Sequence, residues 1–391
     1  SIGVFQVESR AQMSMLPRLL PRTFYDLVIE VAIIRPGPIQ GGMIHPYLRR
    51  RQGLEPVSYP SADMETALSR TLGVPIFQEQ VMQLAMLAAG FTAGEADQLR
   101  RAMAAWKRKG GLEKFHDKLV NGMLERGYDR EFAEALFSQI GGFAEYGFPE
   151  SHAASFAMLA YASAWLKRHH PAAFLAALLN SQPMGFYSPS QLVQDAQRHG
   201  VDVRAVDVGT SDWEATLESV QAVGPPAVRL GLNQVHGLTQ EAGWRIEEAR
   251  AVRRFSDLND LALRASLSSS DLQALAAANA LQSLAGHRRE ARWHAAAAAP
   301  GKGLLKQAAI ATDAVSLPAP SEAQEIVADY RTLGMTLGRH PLALLRQQLL
   351  ARRLLPASTL AGFRPGQFAR ACGLVTVRQR PATAKGTVFV T

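Results

Sequence analysis

The sequence contains a single cysteine, Cys372, in 391 residues. Without a second thiol it has no intramolecular disulfide and no zinc site built on paired cysteines, and a reducing, cytoplasmic setting is the expectation that follows. Long apolar runs are missing too. No stretch reaches the roughly 18 consecutive apolar residues of a membrane-spanning helix, and the first residues lack a signal-peptide pattern. Acid is scarce relative to base: 34 Asp and Glu against 42 Lys and Arg give a formal net charge of +8 and a pI near 9.8. That balance favours polyanionic partners such as DNA or RNA, and by the same electrostatics acidic lipid surfaces. Convergent carboxylates of the kind that hold two catalytic metals are also absent. Asp202 and Asp207 lie in an alternating Val/Asp segment and Asp257 and Asp260 at the mouth of a helix, where solubility and capping account for them. What the chain does have is apolar material, 47% hydrophobic against 19% charged, enough for two or three packed domains.

Residues 141–170, GGFAEYGFPESHAASFAMLAYASAWLKRHH, bring Gly141, Gly142 and Gly147 directly into a run that is apolar nearly all round from Ala153 to Leu166. The pattern predicts a shaped loop, Ser151 as an N-cap, and a helix buried on several sides. Such an N-terminus offers free N–H groups, the positive end of the helix dipole, the Ser151 hydroxyl and the His152 ring, which suit an anionic or polar ligand. An ordinary capped helix with a solvated or core histidine fits the same residues.

Residues 77–109 give a second signal. Phe77, Val81, Leu84 and Ala88 share one helical face, and Gly90 closes that helix. Thr92 and Glu95 form a capping box, and Ala96, Leu99, Met103 and Trp106 predict the buried face of the next helix. Arg100, Arg101, Lys107, Arg108 and Lys109 are left on or near the other face, five cations in ten residues with no acid among them. They fit a solvated charged face or, more sharply, a triphosphate or nucleic-acid backbone.

Two prolines and three glycines in residues 35–42 exclude a helix and predict a shaped loop around Arg35, ahead of Arg49, Arg50 and Arg51. Such an arginine triplet positions nucleic acid through phosphates without reading sequence. Two helices are predicted across 112–140, the second on Phe132, Leu136, Phe137 and Ile140, and Pro171 restarts a helix ending near Asn180. One more helix spans Gln191 to His199, and short strands are predicted between 200 and 229. Residues 230–250 read as a helix-hairpin-helix with Gly237 at the hairpin and Val235, Leu238, Ala242 and Ile246 as packing positions. In such a motif backbone N–H groups meet a DNA phosphate; a purely structural αα-hairpin fits as well, since Leu238 and Thr239 stand where a second glycine is usual. Residues 271–284 suit a companion helix, 285–320 a linker, and Tyr330 to Leu355 helix interrupted near Gly338 and Pro341. From Phe363 the pattern alternates as strands do. Ser1 is not an initiator Met and the chain stops in GTVFVT, so a portion of a longer protein is expected.

Five motifs, VFQVESRAQM, IIRPGPIQGGM, IFQEQVMQLA, ADQLRRAM and YGFPESHAASFAMLAY, stand in an order and spacing that resemble the fingers region of the bacterial C-family DNA polymerases, the alpha subunits of DNA polymerase III. HPYLRRRQG at 45–53, VDVRAVDV at 201–208, LGMTLGRHPLALLR at 333–346 and GLVTVRQRPATAKGTVFVT at 373–391 are similar to the error-prone, ImuC-type branch more than to the replicative subunit. The resemblance covers essentially the whole chain. It implies a mainly α fold: fingers over 1–180, a connector with short strands over 181–229, a helix-hairpin-helix region over 230–300, linker and helices over 301–361, and the start of an OB-fold over 362–391.

The implied activity is template-directed nucleotidyl transfer in DNA damage tolerance and translesion synthesis by a longer protein. Its two Mg2+ would sit in an upstream palm, so this stretch is expected to hold no catalytic or metal residues and to be inactive alone. The resemblance places Arg35, Arg100, Arg101, Ser151 and His152 at the incoming nucleotide. It places Tyr146, Phe148, Lys107, Arg108, Lys109, Arg49, Arg50, Arg51 and Gly237 at DNA. Pro149 and Glu150 occupy positions where replicative subunits commonly carry Asn and Lys, which removes a cation near the nucleotide or primer phosphates. Implied partners are primer-template DNA, deoxynucleoside triphosphates, and a sliding clamp with accessory damage-tolerance proteins; no membrane is implied. Alternatives are a replicative alpha-subunit fragment, a non-catalytic DNA-binding scaffold, and an enzyme using 77–109 for a phosphorylated metabolite.

Overall fold

A computed structural model describes residues 2–34, 44–109, 113–143, 149–185, 187–219, 224–298, 316–380 and 386–390, with backbone alone at 104–109, 113, 142, 143 and 389. The fold is mainly α-helical and divides into two compact units, Ser1–Pro171 and Ala172–Thr391. Among the described residues no helix is long and apolar enough to cross a membrane.

The first unit contains α1 (Arg10–Leu19), α2 (Phe24–Ile33), α3 (Ile44–Arg51), α4 (Ala62–Leu68), α5 (Gln78–Ala89), α6 (Ala93–Lys109), α7 (Glu113–Leu124), α8 (Arg130–Phe143) and α9 (Glu150–His169). Helix α2 is its centre. Val28, Ile29, Val31, Ala32 and Ile33 are all buried, so α2 meets neighbours on nearly every side, including α1 and α9. Ala153, Ala157 and Ala160 make a small-residue seam on α9 through which it can lie close against α2. The predicted α5 face (Phe77, Val81, Leu84, Ala88) and α6 face (Ala96, Leu99, Met103) are buried. Truncating one of the larger of these would cost about 2–5 kcal/mol. Gly90 closes α5 at φ 71°, and Thr92 and Glu95 cap α6 reciprocally. Gly122 lets α7 approach α5, because a Cβ there would collide with the Ala89 carbonyl oxygen.

The second unit begins inside α10 (Pro171–Asn180), whose first residue belongs to the first unit, and continues with α11 (Pro189–Arg198). A small sheet follows, β1 (Val203–Arg204), β2 (Thr216–Glu218) and β3 (Ala227–Arg229), in the order β1-β3-β2. Val203 lies parallel to Val228, and Leu217 pairs antiparallel with the same residue. Glu218 staples the sheet by accepting from Arg229 Nε and Arg204 Nη1, each at 2.7 Å. A short turn then leads into α12 (Gln240–Val252), followed by α13 (Leu258–Arg264), α14 (Ser269–Ala277), α15 (Gln282–Ala285), α16 (Arg288–Ala297), α17 (Glu322–Thr332), α18 (Pro341–Leu344), α19 (Arg346–Ala351) and α20 (Ala357–Leu360). Val235, Leu238, Ala242 and Ile246 are buried where the sequence places packing positions. Arg288, only 4% exposed, joins α16 to α17 through Glu325 and Asp329.

Several expectations are corrected. Pro149, not Ser151, is the N-cap residue of α9. Helix α9 is not buried on several sides: Met158, Leu159, Tyr161, Trp165 and Leu166 are all exposed, because the core takes only the face that carries its alanine seam with Ala154 and Phe156. Gly141 and Gly142 continue α8 and do not open the loop. The companion helix at 271–284 is two helices, broken where Asn279 takes φ 60°. Beyond Phe363 the alternating pattern yields, among the described residues, only a two-stranded ribbon, β4 (Arg378–Gln379) antiparallel to β5 (Phe389–Val390), in a largely exposed stretch.

One buried group is out of keeping with its surroundings. Glu30, fully buried in α2, has among the described residues no hydrogen-bond partner on either carboxylate oxygen, and burial pushes its pKa up to about 8. The folded state therefore holds a proton that the unfolded chain releases near pH 4.5. Stability is full below that value and falls as pH rises toward 8, by several kcal/mol in all. Thermal unfolding followed across this window should show that fall, and Glu30→Gln should remove most of it. An identical pH slope in the variant would contradict a protonated, buried Glu30.

Candidate functional site

The N-terminus of α9 is built from three other elements. Glu79, in the first turn of α5, accepts the Glu150 backbone N–H on Oε2 at 3.0 Å. The Glu150 carboxylate in turn accepts from the Tyr25 hydroxyl of α2 at 2.8 Å and pairs with Arg70 at 2.9 Å. The Arg70 guanidinium lies 4.1 Å from the Tyr25 ring centroid, a cation–π contact. Burial first, then the Glu150 carboxylate, push the Tyr25 hydroxyl well above its ordinary range, so it remains a donor. One amide of this helix end is thus already met by an internal carboxylate, which also sits favourably at the positive end of the dipole. Ser151 and His152 follow at the surface. The His152 ring meets Phe156 edge-on at 4.4 Å, and Phe156 meets Phe5 at 5.3 Å.

Arg100 and Arg101 converge on one anion, and that anion is Asp97. Arg100 donates from Nε at 3.0 Å and Nη2 at 2.8 Å to Oδ1, while Arg101 Nη2 lies 2.7 Å from Oδ2. The Arg100 hydrogen bonds, against a smaller opposing effect of burial and aided by the Arg101 charge, hold the Asp97 carboxyl below its usual range. Arg101 remains 74% exposed and Arg100 38%, so both guanidinium groups keep faces open to a ligand.

The arginine triplet is split by its surroundings. Arg51 donates to both oxygens of Asp26, at 2.7 and 2.9 Å, and to the carbonyls of Leu19 and Leu20 at the end of α1. Asp26 also caps α2 by accepting from the amides of Arg22 and Thr23. Burial would raise its pKa, but those amides and the Arg51 guanidinium outweigh burial and hold it down. Arg50 donates to Glu55 and to the Leu72 carbonyl, whereas Arg49 pairs with Glu55 and stays 61% exposed. Arg51 and Arg50 are therefore engaged inside the protein, and Arg49 is the one of the three that faces outward.

In the second unit Gly237 takes φ 87° at an exposed hairpin tip, a left-handed conformation that favours glycine. The neighbouring His236 donates its backbone N–H to the Thr332 carbonyl at 2.9 Å, tying the hairpin to the end of α17. Arg35, Tyr146 and Phe148 lie outside the described residues, as do the side chains of Lys107, Arg108 and Lys109. Among the described residues no group of three or more His, Cys, Asp and Glu is placed to hold a metal.

Sequence reasoning missed Glu79, Asp97, Asp26 and Arg70. Asp97 was legible, since residues three and four apart on a helix meet, and Thr23-x-x-Asp26 has capping-box spacing. The Glu79–Glu150 and Arg70–Glu150 contacts join residues more than 70 positions apart and leave no local signal.

Comparison with known proteins adds a lineage. Residues 1–127 match the bacterial DNA polymerase III alpha subunit finger domain, and residues 200–291 match a helix-hairpin-helix motif. The chain is 65% identical over 392 residues to an error-prone DNA polymerase of Bordetella bronchiseptica and 64% over 402 residues to one of Burkholderia pseudomallei. It is 62% identical over 391 residues to one of Alkalilimnicola ehrlichii. Each alignment covers all of this chain but only 37 or 38% of the relative's length. A finger-domain match followed by a helix-hairpin-helix match, within identities of 62 to 65% that run the full chain, make it similar to a segment of bacterial error-prone DNA polymerases.

Proposed function

We propose that this chain supplies the nucleotide- and DNA-handling part of an error-prone DNA polymerase that carries out template-directed nucleotidyl transfer in damage tolerance. The observation that carries this reading is the 62–65% identity to error-prone DNA polymerases over the whole chain. The fingers would lie in the first unit and the helix-hairpin-helix in the second, in a cytoplasmic protein working with primer-template DNA, deoxynucleoside triphosphates and a sliding clamp.

Nucleotidyl transfer uses two Mg2+ to activate the primer hydroxyl and support the leaving phosphate. The four carboxylates at the candidate site are engaged otherwise. Asp26 is held by Arg51, Asp97 by Arg100 and Arg101, Glu150 by Tyr25 and Arg70, and Glu79 by a helix amide. The chain would therefore bind and orient while carboxylates elsewhere in the full-length protein hold the metals. Arg100 and Arg101 are the best-placed ligands for the triphosphate: they are pre-aimed by Asp97, and a guanidinium fork can exchange one carboxylate oxygen for a phosphate oxygen without moving far. For DNA the candidates are Arg49, the exposed member of its triplet, and Lys107, Arg108 and Lys109.

Two outcomes are expected. This chain alone should bind DNA with a steep salt dependence, because binding releases counterions, and should not extend a primer; Mg2+-dependent extension by it would refute the division of labour. In the full-length protein Arg101→Lys should depress incorporation by up to about 3–4 kcal/mol of transition-state stabilisation while leaving primer-template affinity nearly intact. Loss of DNA affinity with normal turnover at saturating nucleotide would make Arg101 a backbone clamp instead.

A further inference from the structure

We propose that the groove between α16 and α17 is a binding site for backbone phosphates of DNA, with Arg292 and Arg331 as its ligands; this rests on the reading that the chain meets DNA. The groove encloses about 430 Å³ and is lined by Arg292 from one helix and by Gln324, Val327, Ala328, Arg331 and Thr332 from the other.

Its charge is decided by which cations are neutralised. On the same two helices and the loop after them, Arg288 is paired with Glu325 and Asp329, and Arg339 with Glu322. Arg289 donates to Gln324 and to the Pro318 carbonyl. Those pairings occupy the acids of α17, Glu322, Glu325 and Asp329, with arginines other than the two in the groove. Among the described residues neither Arg292 nor Arg331 has a carboxylate partner, and both are exposed. Two unneutralised guanidinium groups facing one cleft repel each other unless an anion lies between them.

The C-terminal end of α17 would ordinarily oppose an anion, since it carries the negative end of the dipole. Here the hairpin covers it. The His236 backbone N–H donates to the Thr332 carbonyl, and the His236 ring nitrogen Nδ1 lies 3.3 Å from the Arg331 carbonyl oxygen. The groove thus opens beside the hairpin that carries Gly237, so one strand of a duplex lying on the hairpin could run past both arginines. Val327 and Ala328 give an apolar floor suited to the sugar between two phosphates, and the polar groups beside them are already engaged, Gln324 Oε1 by Arg289 and the Thr332 hydroxyl by the Ala328 carbonyl. Binding is therefore indifferent to sequence.

The test is fluorescence anisotropy with the whole chain and two labelled duplexes of unrelated sequence, over a range of salt. Arg292→Gln combined with Arg331→Gln should lower the slope of log affinity against log salt by about two and weaken both duplexes equally. Arg339→Gln, which removes a charge already neutralised by Glu322, is the control and should change the slope far less. Among the described residues neither groove side chain has an ion-pair or hydrogen-bond partner to lose, and both are exposed, so the double variant should fold. A slope unchanged in the double variant, or lowered no more than by the control, overturns the groove assignment while leaving DNA binding itself standing. Competition by inorganic phosphate at constant ionic strength would make the groove a small-anion site and also overturns it. A wild-type chain that binds neither duplex removes the broader reading along with this one.

Discussion

The candidate site depends on how the N-terminus of α9 is held. A helix end presents unpaired amides and about half a positive charge, and left to water it frays. Here Glu79 of α5 takes the first amide, and Tyr25 of α2 and Arg70 take the Glu150 carboxylate. Three separate segments thereby fix one point, and the alanine seam of α9 extends that point into a line of contact along α2. A lysine at 150 would face Arg70 with like charge and could not accept from Tyr25. Holding α9 in this manner is therefore tied to the glutamate of this chain.

The same economy of acids runs through both units. Asp26 serves at once as the cap of α2 and the anchor of Arg51, which reaches back to the carbonyls ending α1. Asp97 aims two arginines, Glu218 staples a sheet, and the acids of α17 are taken by Arg288 and Arg339. With 42 bases against 34 acids, some cations are left without an acid wherever the pairings fall, and Arg292 and Arg331 are where two of them meet a groove. Charge excess, a bulk property of the sequence, thus acquires a location only through the fold.

The helical framework was legible because its signals are local. Gly90, the Thr92–Glu95 box and the buried faces of α5 and α6 are set by spacing within a few residues, and the structure reproduces them. The hairpin at Gly237 and its packing positions were legible for the same reason. Helix α9 was misread because composition cannot distinguish an apolar helix wrapped by neighbours from one that buries a single alanine-rich face and leaves Trp165 and Met158 exposed. The roles of the charged residues were the least legible part. Arg51 and Arg49 look alike in sequence, yet one is enclosed by Asp26 and two carbonyls while the other faces solvent.

The claim that an internal carboxylate seats α9 is most directly tested by backbone amide hydrogen exchange at Glu150. First-turn amides of a helix are ordinarily unprotected, so protection there requires a partner from elsewhere. The wild-type Glu150 amide should exchange slowly, and Glu79→Ala should speed it by roughly ten- to a hundredfold, the effect of losing a hydrogen bond to a charged group, without changing exchange in α14 of the second unit. Fast exchange of the Glu150 amide in the wild-type protein, or a rate unaltered by Glu79→Ala, would contradict the account.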